Sequence, residues 1–221
     1  MSTVVLYEDE VTIPDGIKNL GAFRRWLHSK QFPETGRICY LNGQVRVDMS
    51  EEQIFTHNQV KQEFNLVVGG LVKSCRLGRY FPDGVFLTNT RVSLACQPDG
   101  VFVAHATIEA GRVRVVQGER EGYLELEGSP DMVLEVVSTS SVEKDTVTLR
   151  DLYWQAGIGE YWLVDARGDR LDFTILRQGP SGYVATRKQA GWIKSRVFGS
   201  FFRLTLRLDQ SGNPEYTLSV R

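Results

Sequence analysis

The sequence predicts an α/β protein with a mixed β-sheet flanked by helices. The main observation is a strand, a helix and a strand in close succession between residues 131 and 164, because such a unit makes its two strands parallel. A strong hairpin signal precedes this unit, and a β-leaning tail of residues 187–221 follows it. Parallel and antiparallel pairs should therefore occur together, and 221 residues fit a single domain.

The N-terminal part combines strand and helix signals. A strand is predicted for residues 3–6, and a helix for residues 18–30, where apolar side chains recur at helical spacing. Residues 38–41 and 44–47 are short β-type runs separated by Asn42-Gly43. This dipeptide supplies the positive φ angles of a two-residue type I′ turn, so the two runs are predicted to form a hairpin.

The remaining elements follow from the same kinds of pattern. They are a helix at 52–76 with His57 on its apolar stripe, β-structure from 80 to 126, a helix at 141–156, a strand at 161–164 and an edge strand at 171–176. Helices and strands thus alternate along most of the chain.

A carboxylate interrupts the apolar run of residues 132–137. Val, Leu and Val surround Glu135, so this side chain is expected at or near the interior of the sheet. An unpaired buried carboxylate costs several kcal/mol unless a cation, a donor or a raised pKa compensates it. A metal ion is one such compensation, and an arginine partner is the more ordinary alternative.

A second acid, Asp99, stands at the start of another apolar run, Gly100-Val101-Phe102-Val103. Acids at the ends of two adjacent strands can share one Mg²⁺ or Mn²⁺, which takes one or two carboxylates and leaves its other positions to water and phosphate. Such an ion promotes phosphodiester hydrolysis. An Asp before Gly is also a common turn residue, so this interpretation stays open at this point.

Composition limits the classes of function. The net charge of −1 argues against a nonspecific nucleic-acid coat. Residues 1–160 carry −6 and residues 161–221 carry +5, which fits a phosphate-bearing substrate or simply solvated charges. No apolar stretch is long enough to span a membrane, which predicts a cytoplasmic protein without membrane contact. Cys39, Cys75 and Cys96 are odd in number and far apart, so they are expected as reduced core thiols.

Several segments together resemble the Uma-two family of restriction-endonuclease-like proteins, which belongs to the PD-(D/E)XK superfamily. They are residues 98–103, 130–138, 145–153 and 157–165, the last containing Glu-Tyr-Trp-Leu-Val-Asp. The resemblance covers about residues 15–180, which would form the nuclease-like core, with residues 181–221 as a β-rich extension. It implies a four-stranded mixed sheet, DNA as the partner, and Asp99 and Glu135 as ligands of a catalytic Mg²⁺ or Mn²⁺.

The family's catalytic lysine has no direct counterpart. In the broader superfamily it stands two residues after the glutamate, where this chain has Val137, and in the Uma-two family it corresponds to Leu149. Lys144, Lys61 and Arg150 are the candidates for a replacement cation. His57 is either a core-edge histidine bonded to a backbone carbonyl or a polar group of the metal site.

The leading hypothesis is a metal-dependent endonuclease that hydrolyses DNA phosphodiester bonds, with Asp99, Glu135, Lys144 and His57 in the site. The alternative is a degenerate nuclease-fold module that binds nucleic acid or a protein partner without cleavage. Many nucleases of the superfamily act as dimers, which suggests a homodimer. The sequence contains no P-loop, Gly-rich dinucleotide turn or Gly-x-Ser-x-Gly motif, which argues against nucleotide-driven, redox and serine-hydrolase chemistry.

Overall fold

The computed structural model describes residues 11–33, 35–118, 122–168 and 170–221. The strand predicted for residues 3–6 lies outside this part of the chain. The helical elements are α1 (Leu20–His28), a π-helical turn (Ile54–Gln59), α2 (Val60–Cys75), a 3₁₀ turn (Thr90–Val92), α3 (His105–Glu109), a second π-helical turn (Lys144–Thr148) and α4 (Leu149–Gln155).

The strands form three sheets in the described residues. In chain order they are β1 (Arg37–Leu41), β2 (Gln44–Asp48), β3 (Gly78–Pro82), β4 (Phe86–Asn89), β5 (Leu94–Cys96), β6 (Gly100–Ala104), β7 (Val113–Gln117), β8 (Tyr123–Gly128), β9 (Met132–Val136), β10 (Glu160–Asp165), β11 (Asp172–Gly179), β12 (Gly182–Ala185), β13 (Lys188–Gln189), β14 (Trp192–Lys194), β15 (Phe201–Leu208) and β16 (Pro214–Val220).

The central sheet has the strand order β12-β11-β10-β9-β6-β3. Strands β9 and β10 are parallel, because α4 connects them, and the other pairs are antiparallel. The predicted βαβ unit and the mixed sheet are therefore confirmed. The sheet has six strands and not four, since β3 and β12 extend it at its two edges.

Helices cover both faces of the central sheet. On one face, Val101 and Val133 pack with Leu149 and Tyr153 of the helix that joins β9 to β10. On the other, Phe102, Leu134 and Trp162 pack with Phe64 of α2 and with the four-stranded C-terminal sheet, β13-β14-β15-β16. Because neighbouring residues of a strand point to opposite faces, this pattern also fixes the faces of Asp99 and Glu135.

The hairpin β1–β2 belongs to a second, N-terminal sheet of order β2-β1-β5-β4-β8-β7. Asn42 and Gly43 have φ values of 51° and 83°, as the predicted type I′ turn requires. Helix α1 begins after Asn19, whose side chain accepts from the N–H of Ala22, and its apolar face packs on this sheet. This second sheet places β1 beside the candidate site described below.

Three expectations of the sequence analysis were wrong. Residues 171–176 were expected at a sheet edge, but β11 is an inner strand, because β12 folds back onto it. Cys75 was expected in the core with Cys39 and Cys96, but it is exposed at the last residue of α2. The β-structure expected from residue 80 to 126 is interrupted by the 3₁₀ turn and by α3.

Helices α2 and α4 each follow directly on a π-helical turn that a 3.6-residue pattern does not predict. The amide of Asn58 donates to the carbonyl of Gln53, and the amide of Leu149 donates to that of Lys144. Each bond spans five residues, so these turns hold more residues than an α-helical turn, and side chains point in directions that α-helical spacing does not give. His57 and Lys144 lie in these two turns.

No helix in the described residues is both long enough and apolar enough to cross a bilayer.

Candidate active site

Asp99 and Glu135 lie side by side at the ends of two adjacent strands. Strands β6 and β9 pair antiparallel with Gly100 opposite Leu134, so the next position places Asp99 opposite Glu135. Directly opposed residues of an antiparallel pair have Cβ atoms about 4.5–5.5 Å apart and share a face. Both carboxylates therefore lie on the face of the sheet that packs against α4.

Both carboxylates are buried, each with 2% of its surface exposed. Burial raises the pKa of Asp99, and it raises the pKa of Glu135 well above its usual range. The charges of Asp145 and Asp99 raise the pKa of Glu135 further, whereas Lys144 opposes this. The fold thus holds two acids together where one negative charge disfavours the other.

Each carboxylate accepts one hydrogen bond that fixes its orientation. The backbone N–H of Val136 donates to Asp99 Oδ2 at 2.7 Å, and the Tyr153 hydroxyl donates to Glu135 Oε1 at 2.7 Å. Within the described part of the chain, Asp99 Oδ1 and Glu135 Oε2 accept no hydrogen bond, although Arg37 and Lys61 each lie 3.8 Å from Asp99 Oδ1. Val136 and Tyr153 therefore orient the carboxylates of Asp99 and Glu135, and each uses only one carboxylate oxygen.

Lys144 is a cation close enough to Glu135 to lower the pKa of that carboxyl by its charge. Its Nζ lies 3.0 Å from Asp145 Oδ1. Burial alone would lower the pKa of Lys144, but the charges of Glu135 and Asp145 outweigh it and raise the pKa above the usual range. Lys144 therefore stays protonated at neutral pH.

The π-helical turn accounts for the position of Lys144. Counted in α-helical steps, Lys144 would point about 140° away from Leu149. The five-residue bond from Leu149 to Lys144 changes this angle and lets the lysine face the sheet one turn before the family's lysine position. Leu149 itself is fully buried in the core on this face.

The other two candidate cations are placed differently. The Arg150 guanidinium donates to the carbonyl of Tyr183 at 3.2 Å, on the side of the helix that packs against β12. Lys61 is 3.8 Å from Asp99 Oδ1, but its ammonium is bound by Asp83 at 2.6 Å and by Glu52. Among the three candidates, Lys144 is the one that acts on Glu135 and has an adjacent pocket.

His57 lies beside Asp99 on the first π-helical turn. Its Nδ1 is 2.7 Å from Glu52 Oε1, and its Nε2 is 3.6 Å from Asp99 Oδ2. The backbone-carbonyl partner considered from the sequence is therefore wrong, because the partner is a carboxylate. His57 is 2% exposed, and its Nε2 has no hydrogen-bond partner in the described residues. An orphaned buried nitrogen next to a buried acid points to a missing ligand or water.

A pocket of about 290 Å³ opens at this place, between the hairpin β1–β2 and the segment after β9. Its lining includes Arg37, Arg46 and Lys144, and Arg37 lies 3.8 Å from Asp99 Oδ1. The hairpin is tied to the opposite wall by Ser140, which donates to Asp48 Oδ2 at 2.8 Å, and by an Arg46–Glu143 ion pair at 3.2 Å. The pocket walls thus carry three cations and the acids Asp48 and Glu143, and Arg37 links the pocket to Asp99, which does not itself line it.

The described residues contain no cluster of three or more His, Cys, Asp or Glu side chains with the geometry of a metal site. A site for zinc, which needs three or four protein ligands, is therefore not present in this part of the chain. Mg²⁺ requires less, because it binds through one or two carboxylates and retains water. Asp99 and Glu135, each with one oxygen free of hydrogen bonds, fit that requirement.

Comparison with protein families identifies one family whose model matches most of the chain. The family model named Uma2, described as "putative restriction endonuclease", matches residues 21–207. The chain belongs to the Uma2 family. The match extends beyond the segment of residues 15–180 that carried the resemblance, and it includes most of the C-terminal sheet.

A solved structure shows the same fold. It is described as "a putative nuclease belonging to DUF820" from Anabaena variabilis, and it superposes with a TM-score of 0.58 at 17% sequence identity. The alignment covers 82% of this Uma2 chain and 90% of that protein. Comparison with curated proteins gives no match.

Sequence reasoning missed three groups at the site. Arg37, Arg46 and Tyr153 were not named as site residues, although Tyr153 binds Glu135 directly and the two arginines line the pocket. The signal for Tyr153 was a polar hydroxyl on the sheet-facing stripe of a helix, since a buried Tyr hydroxyl needs a partner. The two arginines lie on a hairpin, and no local pattern distinguishes them from solvated side chains.

Proposed function

We propose that the chain is a metal-dependent endonuclease that hydrolyses DNA phosphodiester bonds, with Asp99 and Glu135 as the ion ligands. The observation that carries the proposal is the pair of buried carboxylates on adjacent strands, close to a pocket whose lining includes Arg37 and Lys144. Buried acids without a shared proton or cation are costly, and proteins retain such groups mainly at functional sites. The Uma2 match supports the same conclusion.

The chemistry of the donors fits Mg²⁺ or Mn²⁺. Both ligands offer carboxylate oxygens, and the pocket leaves room for water and a phosphate group. When bound there, the ion supplies Lewis-acid activation of water and offsets charge on the scissile phosphate.

Lys144 acts as a fixed positive charge in this proposal. Its raised pKa excludes it as a general base at neutral pH, because it keeps its proton. An ammonium ion beside Glu135 can instead donate to a phosphate oxygen or to the attacking water. Such a preorganised donor stabilises the charge that develops in the transition state.

His57 is proposed to accept a hydrogen bond from the attacking water. Glu52 holds Nδ1, so Nε2, which has no hydrogen-bond partner in the described residues and lies 3.6 Å from Asp99 Oδ2, is the nitrogen left to contact this water. Arg37 and Arg46 lie at the pocket wall, where guanidinium groups bind phosphates on either side of the cleaved bond. These roles use every cation that lines the pocket.

The proposal is tested with a supercoiled plasmid and purified protein in Mg²⁺, Mn²⁺ or EDTA. Conversion to the nicked or linear form is expected with either ion and not with EDTA. If Mn²⁺ binding is demonstrated and no form of DNA is cut, the nuclease proposal is wrong and the degenerate binding module takes its place.

The ion ligands can be tested without an activity measurement. Mn²⁺ at about 100 times its dissociation constant should stabilise the fold by about 2.7 kcal/mol, or about 5–10 °C in melting temperature for a chain of this size. Asp99→Asn should abolish this shift. It should also raise the melting temperature without metal, because the carboxyl is buried with a raised pKa and asparagine can still accept from Val136.

Asp172→Asn is a suitable control because it removes the same charge from an exposed side chain on β11, two strands away from β9. It should retain the full Mn²⁺ shift. Equal shifts in wild type, Asp99→Asn and the control would place the ion elsewhere.

A further inference from the structure

The outer surface of the C-terminal sheet combines aromatic and cationic side chains in a regular arrangement. Strand β15 pairs with β14 and with β16, and Ile193 and Phe202 point inward to the core. The opposite, solvent-facing side presents Trp192, Lys194, Phe201, Arg203 and Arg221, which we call the aromatic–cation face.

These five residues form two cross-strand rows. In the first, Phe201 lies between Lys194 on β14 and Arg221 beyond the end of β16. In the second, the register places Trp192 opposite Arg203. The Arg203 and Arg221 guanidinium carbons lie 4.7 and 4.3 Å from the centre of the Trp192 ring, and Lys194 Nζ lies 5.6 Å from that of Phe201. Cation–π contacts of this kind hold the side chains close together on the sheet.

The positive charge of this face is not neutralised by the sheet itself. The ion pairs of the C-terminal sheet in the described residues are Lys188–Asp172 and Arg207–Glu215, and neither involves the face. Residues 187–221 carry seven Lys and Arg against two Asp and Glu. Lys194 and Arg221 are exposed, and the Nε of Arg203 has no hydrogen-bond partner. The surface thus offers cations to an anionic polymer.

We propose that the aromatic–cation face binds single-stranded DNA. Unstacked bases can stack on aromatic rings and on guanidinium planes, whereas the bases of a duplex already stack on one another and do not present their faces to a sheet. Phosphates would pair with Lys194, Arg203 and Arg221. The choice of DNA as the polymer rests on the proposed function, but the stacking chemistry does not.

None of the five residues of the aromatic–cation face lines the pocket of the candidate active site. Strand β16 packs against the π-helical turn that contains His57, and the N–H of Leu218 donates to Glu63 Oε1 of α2 at 2.7 Å. The inner side of the C-terminal sheet thus packs on α2 and on this turn, and the aromatic–cation face lies on the opposite, solvent-facing side. This makes the face a docking surface separate from the pocket.

The experiment is a fluorescence-anisotropy titration of a labelled oligothymidylate of about 15 nucleotides, within the roughly 4–16 that single-strand binding modules occupy. EDTA is present throughout, so that neither cleavage nor the ion site contributes. Trp192→Ala removes the ring on which the Arg203 and Arg221 guanidinium groups stack, and it should weaken binding by about 5- to 150-fold, the usual cost of losing one member of a stacking surface.

A second variant tests the proposal even if the Trp192→Ala protein does not fold. The double variant Arg203→Gln, Arg221→Gln should have a plot of log K against log salt concentration whose slope is smaller in magnitude by about 1.4. This value corresponds to the loss of two phosphate contacts with a single strand. Lys73→Gln removes one exposed charge at the far end of α2 and should leave affinity nearly unchanged. Melting temperatures identify any variant that is unfolded.

Competition with unlabelled polymers shows which kind of polymer the aromatic–cation face prefers. Single-stranded DNA should displace the probe well, and duplex DNA and polyglutamate poorly. Equal displacement by polyglutamate or duplex, tighter binding of RNA, or wild-type affinity in both variants would overturn the proposal. If the protein nicks plasmid but neither variant changes oligonucleotide binding, the nuclease proposal stands and the proposal for the aromatic–cation face is wrong. If both variants weaken oligonucleotide binding but the protein cuts no DNA, the aromatic–cation face stands as a binding surface and the nuclease proposal is wrong.

Discussion

Glu135→Gln is expected to reduce the rate of plasmid nicking by about 10³-fold or more. An ion at the scissile phosphate contributes several kcal/mol of transition-state stabilisation, and each 1.36 kcal/mol corresponds to a factor of ten. Glutamine keeps the size of the side chain and can still accept from the Tyr153 hydroxyl, so the hydrogen bond that orients the group survives. It loses the negative charge on which ion binding depends.

The stability of this variant separates a catalytic effect from misfolding. Burial raises the pKa of Glu135 well above its usual range, so the folded state pays a cost for its negative charge at neutral pH. The metal-free Glu135→Gln protein should therefore melt at the same or a higher temperature than wild type. Glu109→Gln, on the short exposed helix α3, removes the same charge away from the site and should nick at the wild-type rate. Nicking by Glu135→Gln at that rate would exclude Glu135 as an ion ligand.

The sequence was sufficient to predict the central part of the fold, because the signals there are local and strong. The apolar strands β9 and β10, the helix between them and the Asn42-Gly43 turn each follow from a short pattern that tertiary contacts reinforce. The pairing of Asp99 with Glu135 could also be anticipated, since both stand next to apolar runs that must be neighbouring strands. Their shared face then follows from the alternation of side chains.

The sequence was not sufficient where position depends on long-range contacts. Residues 171–176 have the alternation of an edge strand, but a hairpin return at β12 makes β11 an inner strand. Cys75 continues an apolar stripe at helical spacing, but the helix ends there at Arg76, whose φ of 52° takes the chain away from the core. The polar partners of His57 come from Glu52 and Asp99, one of which is 42 residues away in the chain.

The direction of Lys144 shows the same limit within one helix. At the α-helical step of 100° per residue, the Lys144 side chain would point away from the sheet. The π-helical turn changes this angle and directs the side chain toward the sheet. The sequence offers no local sign of this turn. Placing Lys144, the proposed cationic donor, in the irregular turn agrees with the frequent presence of π-turns at functional sites.

Lys144→Ala is expected to lower the nicking rate by about 10²- to 10³-fold, because it removes a positioned cationic donor while the ion ligands remain. The Mn²⁺ melting shift should persist, which distinguishes this role from ion binding. Arg150→Ala is the matched control: it removes one cation from the same helix, but a cation bound to the carbonyl of Tyr183. It should nick at nearly the wild-type rate.

A lysine placed at the family position should restore part of the activity lost in Lys144→Ala. The double variant with Leu149→Lys puts an ammonium ion on the sheet-facing stripe one π-helical turn further along the helix. Because Leu149 is fully buried, this change could cost a few kcal/mol, so the assay is run at low temperature and melting is checked in parallel. Recovery in the double variant would establish that Lys144 replaces the family's lysine. Folded, Mn²⁺-binding protein without recovery would show that Lys144 serves only to balance the charge of Glu135 and Asp145.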